Sequence, residues 1–220
     1  MLYIINFLFY SGKSARGVCD ADQNSHGTDA LTDDTNENWW QSQTIHASKK
    51  AVQYPGNVTL TLDMHKNHRI AYIRIQFKSP RPQAMMIEKY YKGSWMPFQY
   101  FSEYCHQYFG KVASDTAYEE NEDEALCSAK HSGITPSTGG EVVFSVLAGR
   151  PSNNNYENSM ILREFSTAEK LRITLNRMHT YGDELYGRTQ DLQSYFYAIN
   201  QFRVGAFCQC HGHARECDAG

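Results

Sequence analysis

The 220-residue chain lacks any excess of positive charge: 21 Lys and Arg stand against 24 Asp and Glu, a formal net charge of −3. That balance excludes the electrostatic footprint of a nucleic-acid or anionic-membrane binder. It also lacks a membrane-length apolar run. The longest, Leu2 to Tyr10, is interrupted by Asn6 and falls far short of the roughly 20 residues a span needs. With 15 Gly and 6 Pro the chain is neither collagen-like nor low-complexity, and 41% hydrophobic with 13% aromatic residues is too apolar for disorder. Catalytic signatures are missing as well: there is no G-x-S-x-G, no H-E-x-x-H, no Gly-rich phosphate loop and no dinucleotide fingerprint. The nine histidines scatter over loops and strand ends, so no reactive constellation can be assembled and an enzyme is not expected.

What is present is strand-period alternation in a chain long enough to bury roughly 72% of its unfolded surface. Val58, Leu60, Leu62 and Met64 alternate with Thr59, Thr61 and Asp63, and Ala71, Ile73, Ile75 and Phe77 alternate with Tyr72, Arg74 and Gln76. Residues 58–77 therefore read as two strands, closed by Ser79-Pro80-Arg81-Pro82 because proline cannot donate to a ladder. Further strands are expected at 85–91, 141–148, 171–178 and 195–204, each bounded by Gly, Pro, Asn or Ser. Helix is expected only in short pieces, near 101–109 and 121–129. Many strands and few helices predict an all-β sandwich or jelly roll. The acidic run Glu119 to Glu124 reads as a solvated loop, because it has neither the glycine turn nor the alternating oxygen spacing of a dedicated calcium loop.

Six cysteines are spread unevenly, with Cys19 alone, Cys105 and Cys127 mid-chain, and Cys208, Cys210 and Cys217 crowded at the end. Together with one sequon, Asn57-Val58-Thr59, they predict an oxidising, secreted setting and a glycan on Asn57. The stretch from Leu2 to Tyr10 with small residues Ser11 to Ala15 after it has the form of a signal-peptide remnant without its basic start. The terminal Cys208-Gln209-Cys210-His211-Gly212-His213-Ala214-Arg215-Glu216-Cys217 holds zinc-type ligands at spacings too tight for a structural zinc site, so a disulfide-stapled module is expected there.

Cys208-x-Cys210-x-Gly212-His213-Ala214-x-x-Cys217 resembles the opening of a laminin-type EGF-like module. The preceding chain resembles the laminin N-terminal domain. The pieces that carry the resemblance are Leu31-Thr32-Asp33, Trp39-Trp40-Gln41-Ser42-Gln43-Thr44, Val52-Gln53-Tyr54-Pro55, Ser79 to Pro82, Gly149-Arg150-Pro151-Ser152, Leu175 to Glu184, and Ser194 to Ala198, in that order. The tryptophan and Val-Gln-Tyr-Pro pieces are most similar to laminin gamma chains, while netrins share the domain. This divides the chain into an atypical segment at 1–18, read as a signal remnant or a truncation, a laminin N-terminal domain at 19–207 and the start of an EGF-like module at 208–220.

The resemblance implies a jelly-roll sandwich in the extracellular matrix that assembles with the N-terminal domains of other laminin chains into the basement-membrane network. Cell-surface receptors and heparin-like glycans are further partners it suggests. The alternatives are a netrin-like secreted guidance ligand or a carbohydrate-binding sandwich module. It also implies a calcium site with the Asp33 carboxylate, backbone oxygens of Ala30 and Asn200, and Asn38 where the family carries a threonine. The family's cysteine-containing segment before Cys19 has no counterpart at 1–18. With Cys19 so deprived of its partner and the terminal module set aside, Cys105 is expected to pair with Cys127. Cys208 is expected to pair with Cys217 by the EGF-like pattern, leaving Cys19 and Cys210 unpaired in this fragment.

Overall fold

The computed structural model of the chain describes residues 3–4, 8–11, 26–32, 37–42, 44, 57–186, 191 and 194–208. Ten strands are formed among them: β1 (Tyr3–Ile4), β2 (Leu8–Ser11), β3 (Trp40–Gln41), β4 (Val58–Phe77), β5 (Ala84–Tyr91), β6 (Ser94–Ser102), β7 (Cys127–Ser128), β8 (Glu141–Ser145), β9 (Thr167–Arg177) and β10 (Ala198–Cys208). Three short α-helices join them: α1 (Cys105–Phe109), α2 (Met160–Ser166) and α3 (Asp183–Tyr186). Short 3-10 helices lie at Thr28–Thr32, Glu119–Asn121 and Pro151–Asn158.

β4 is one strand of 20 residues where alternation predicts two. The gap between the two apolar patterns is a corner inside it. His65 takes φ 60°, Asp63 Oδ1 accepts from its N–H at 2.9 Å, and the register with β9 breaks between Asp63 and His68. Before the corner β4 pairs with β2 and β9; after it the β9 ladder ends with His68 and Arg69, and β10 and β8 become its partners. One layer therefore runs β2-β4-β9-β5-β6-β7 and the other β8-β4-β10, with β1 and β3 on the far side of β10. Burial of Leu60, Leu62, Met64 and Ile70 and then of Ile73, Ile75 and Phe77 shows a change of parity. It occurs where Ala71 is an extra residue between the pairs Ile70–Ala206 and Tyr72–Gly205, a bulge that turns the next side chains over. At this point Gly205 is required, since a Cβ there would overlap the Tyr72 ring.

Both layers feed one core, in which Leu60, Met85, Ile87, Phe98, Ile173 and Leu175 meet Ile73, Ile75, Phe144, Ile199 and Val204. Phe98 is fully buried with its ring edge-on to Phe144 (4.9 Å) and near Phe165 (5.0 Å). It lies on β6, a strand not expected from the sequence. Pro97 masks it, yet Pro97 is tolerated because Phe98 is the extra residue of a bulge between the pairs Ile87–Gln99 and Glu88–Pro97. The β5–β6 hairpin turns on Lys92-Gly93, both with positive φ, as a two-residue loop demands.

The helix expected near 101–109 is α1, ended by Gly110 in the left-handed region. That expected at 121–129 is absent: the segment continues from the 3-10 turn into β7, and Cys127 is joined to Cys105 by a disulfide that ties it to the start of α1. Closing that loop contributes about 3 kcal/mol by chain entropy. Of the acidic run, Glu119, Glu120 and Asp123 are exposed, but Glu122 is buried. Its carboxylate accepts from the Ser152 N–H and from Ser159 Oγ, and Ser159 in turn caps α2 by accepting from the Leu162 N–H. Burial opposes ionisation of Glu122, yet these bonds outweigh it and hold its pKa below the usual range. The buried Arg150 donates to the Glu122 and Glu124 carbonyls, and burial pulls its pKa down to about 10.

Lys89 is a second buried cation among the described residues. Its Nζ donates to the carbonyls of Glu164 (2.7 Å), Phe165 (2.6 Å) and Thr167 (3.2 Å), closing the C-terminus of α2. Burial lowers its pKa to about 8. Between that value and its unfolded 10.5 the unfolded chain holds more protons, so this residue's contribution to stability rises with pH. Lys89→Met is expected to unfold about 2 kcal/mol more easily near neutral pH, because three buried carbonyls lose their donor. Its deficit should widen as pH rises from about 8 toward about 10, measured by paired urea titrations.

Candidate functional site

Four of the sequence pieces singled out above meet at one end of the sandwich. β3 lays Trp40 against Ile199 of β10, burying the Trp40 side chain, and the alternation of an extended chain turns Trp39 the other way, half-exposed. β4 ends at Phe77, after which Lys78 N–H donates to the Ala198 carbonyl at 2.8 Å. Ser79 fastens the junction: its Oγ accepts from the Ala198 N–H at 3.0 Å in a buried position. On the other side of the same segment Ser42 N–H donates to the Tyr197 carbonyl (2.8 Å), and Ser42 Oγ accepts from the Tyr197 N–H (2.9 Å). Two serines thus hold the Tyr197–Ala198 backbone between the tryptophan and Ser-Pro pieces.

A cleft of about 450 Å³ opens at this junction, with Trp39, Lys78, Pro80, Met178, Tyr195 and Phe196 among its lining residues. The Trp39 ring is held in place from three directions. The His26 ring stacks on it at 3.9 Å and 24°, the Lys78 ammonium sits 3.6 Å from its centroid, and its Nε1 donates to Gln41 Oε1 at 3.2 Å. Across the cleft the Tyr195 hydroxyl donates to Asp183 Oδ2 at 2.6 Å, tying the piece at 194–198 to the piece at 175–184. His179, also in the lining, is buried with Nε2 2.8 Å from the Ser132 carbonyl. Beside it Tyr181, Leu185 and Tyr186 are 57%, 75% and 89% exposed, an uncommon outlay of apolar surface. Gly182, at φ 89°, makes the turn that projects them.

The residues of the calcium reading fall partly within the described structure. Ala30 lies half-buried in the 3-10 helix Thr28–Thr32, which packs against β10, and Asn38 is exposed next to Trp39. Asn200 is the extra residue of a bulge in β10, between the pairs Ile199–Phe77 and Gln201–Gln76. A bulged residue stands outside the ladder, and Asn200 Oδ1 is buried without a hydrogen-bond partner. Uncommitted oxygens of this kind are what a hard cation takes. Asp33 lies outside the described residues. Among the described residues no group of three His, Cys, Asp or Glu gathers to hold a metal.

Of the other predicted positions, Cys105 and Cys127 form the disulfide already described, Cys208 ends β10 half-buried, and Asn57 is exposed just before β4. Cys19, Cys210 and Cys217, and with them the Val52-Gln53-Tyr54-Pro55 piece, lie outside the described residues. Met178 lies inside the piece at 175–184, whereas His26 and Lys78 are members of the site not foreseen from the sequence. Only the place of Lys78, directly before Ser79-Pro80, could have pointed to one of them. No helix among the described residues is long and apolar enough to cross a membrane.

Comparison with known proteins identifies the family. The family described as Laminin N-terminal (Domain VI) matches residues 10–206. Laminin subunit gamma-1 of Xenopus tropicalis is 43% identical over 210 residues, covering 91% of this chain, and that of Homo sapiens is 44% identical over 208 residues, also covering 91%. Laminin subunit gamma-3 of Mus musculus is 40% identical over 215 residues, covering 94%. The chain spans 13% of the length of each of these relatives. Among solved structures, chitosan-binding module 1 of a chitosanase/glucanase from Paenibacillus sp. IK-5 aligns at 8% identity with a TM-score of 0.48, covering 91% of this chain and 95% of that one. The match spans the strands and loops that build the cleft, and the chain belongs to the laminin N-terminal domain family.

Proposed function

We propose that the chain is a secreted assembly domain of a gamma-type laminin subunit, without turnover of its own, which joins the N-terminal domains of other laminin chains in the basement-membrane network. The observation that carries this reading is the convergence of four family pieces on one cleft, with Tyr181, Leu185 and Tyr186 exposed on the segment that Asp183 ties to the cleft residue Tyr195. Tyrosine and leucine projected from a short helix beside an apolar cleft are suited to bury against a partner, and the fixed Trp39–His26 stack supplies a rigid floor. Single contacts of this size are weak and gain strength when three chains bring several together. The netrin-like and carbohydrate-binding alternatives have no comparable observation at this end of the sandwich.

The same proposal includes a calcium ion held by Ala30, Asp33, Asn38 and Asn200. The fit rests on the bulge that takes the Asn200 backbone, whose oxygen is the expected ligand, out of the ladder, and its orphaned Oδ1 is a further oxygen at that place. When bound, the ion supplies positive charge that cross-links backbone and carboxylate oxygens. Through these oxygens the 3-10 helix Thr28–Thr32, which already packs on β10, and Asn38 beside Trp39 are joined to the same ion, which would steady the Trp39 side of the cleft.

In equimolar mixtures with alpha-type and beta-type laminin N-terminal domains, analytical ultracentrifugation should show complexes that need all three components. The double variant Leu185→Asp, Tyr186→Ser should lose them while keeping the wild-type melting temperature, because both side chains are exposed. Unchanged sedimentation of the variant mixture would remove this segment from the interface. Calcium at millimolar concentration should raise the melting temperature by a few degrees through mass action, and Asp33→Ala should abolish the rise. A wild-type melting temperature indifferent to calcium would end that part of the proposal.

A further inference from the structure

The outer face of the first layer carries a second cleft, of about 640 Å³, lined by Thr61, Asp63, Tyr90, Trp95, Glu169 and Lys170. Four of these residues form a single row across four strands, each directly opposite the next in the ladder: Asp63 on β4, Lys170 on β9, Tyr90 on β5 and Trp95 on β6. Lys170 Nζ bonds Asp63 Oδ2 at 2.6 Å, and the Tyr90 and Trp95 rings lie 5.3 Å apart at 58°. A parallel row braces it. Thr61 faces Arg172, which faces Glu88, and Arg172 gives Glu88 two bonds of 2.7 and 2.8 Å while its guanidinium sits 4.1 Å from the Trp95 centroid. The indole is therefore held by a cation that is itself held, and Trp95 and Tyr90 are only half-buried.

The charges decide what such a cleft can take. An anion meets three carboxylates, Asp63, Glu88 and Glu169, against two cations whose strongest bonds already go to Asp63 and Glu88. A cationic side chain finds both aromatic rings already facing a cation, Arg172 at Trp95 and Lys170 at 5.9 Å from Tyr90. A neutral ligand with one apolar face and many hydroxyls suffers neither repulsion. Its C–H face packs on the indole. Pairs of hydroxyls donate to Glu169, whose carboxylate has no ion pair or hydrogen bond among the described residues, while the Thr61 hydroxyl and the remaining Lys170 protons serve its other oxygens. We propose that this face of the first layer is a binding site for a neutral pyranose of a glycan chain, separate from the cleft at the end of the sandwich.

The test uses the whole 220-residue chain with three probes, N-acetyllactosamine, maltotriose and a heparin octasaccharide, followed by saturation-transfer NMR and titration of chemical shifts. At least one neutral probe should bind saturably in the millimolar range and more tightly than heparin. Trp95→Ala should weaken it about tenfold or more, and Glu169→Gln about fivefold. Because Trp95 braces Arg172, the Glu169→Gln variant guards against misfolding: it replaces a carboxylate with no ion pair or hydrogen bond among the described residues and should keep the wild-type melting temperature. Failure of both neutral probes to saturate, a preference for heparin, or neutral binding untouched by Glu169→Gln would each overturn the proposal. None of these outcomes bears on association with laminin partners, which is read at the other cleft.

Discussion

A single bent strand is the constraint on which the rest of the structure depends. β4 belongs to both layers, with the first half of its length hydrogen-bonded to β2 and β9 and the second mainly to β10 and β8. Its corner at His65 fixes how one layer crosses the other, and its bulge at Ala71 decides which side chains of the second half reach the core. Without that bulge Ile73, Ile75 and Phe77 would face solvent, and at about 25 cal/mol per Å² the loss of three large apolar side chains from the core would exceed the margin by which most domains are stable. The end of the same strand delivers Lys78 and Ser79 to Ala198. The cleft is thus an outcome of where β4 stops.

Buried polar groups do the remaining work of joining layers to helices. Lys89 closes α2 from β5, Glu122 closes its start through Ser159, and Arg150 takes two carbonyls of the acidic segment. Each is a buried charge whose desolvation is offset by several bonds at once, and loss of any one partner would leave the others unsatisfied. They explain how a segment carrying five acids within residues 119–124 can sit against a core.

Much of the fold was legible in the sequence, and what was not has definite causes. Alternation located both halves of β4, and β5, β9 and β10 to within a few residues. It could not show that the halves are continuous, because the corner is made by a histidine in a conformation usually left to glycine, and Asp63 supports it only through a local bond. β6 was hidden by Pro97 and by a Lys-Gly turn that does not stand out in sequence. α2, at seven residues, is too short for a helical period. Glu122 looked like its acidic neighbours because burial of one residue in a charged run depends on Ser152 and Ser159, some thirty or more residues away. The pieces of the site were legible by resemblance, but not their convergence, which follows from the register of β3 on β10 and β10 on β4. His26 and Met178 join the cleft only through that register, and the cross-strand row from Asp63 to Trp95 is likewise invisible until four strands are aligned.

The end of the sandwich built by this register is the surface proposed to meet other N-terminal domains. Amide hydrogen exchange of the whole chain, alone and mixed with alpha-type and beta-type partner domains, tests it most directly. Partners should slow exchange in residues 178–186 and 194–197, while β4, β9 and β10 remain equally protected in both states because the shared core opens only with global unfolding. Slowed exchange confined to β5 and β6 on the Trp95 face, with residues 178–186 unaffected, would contradict it.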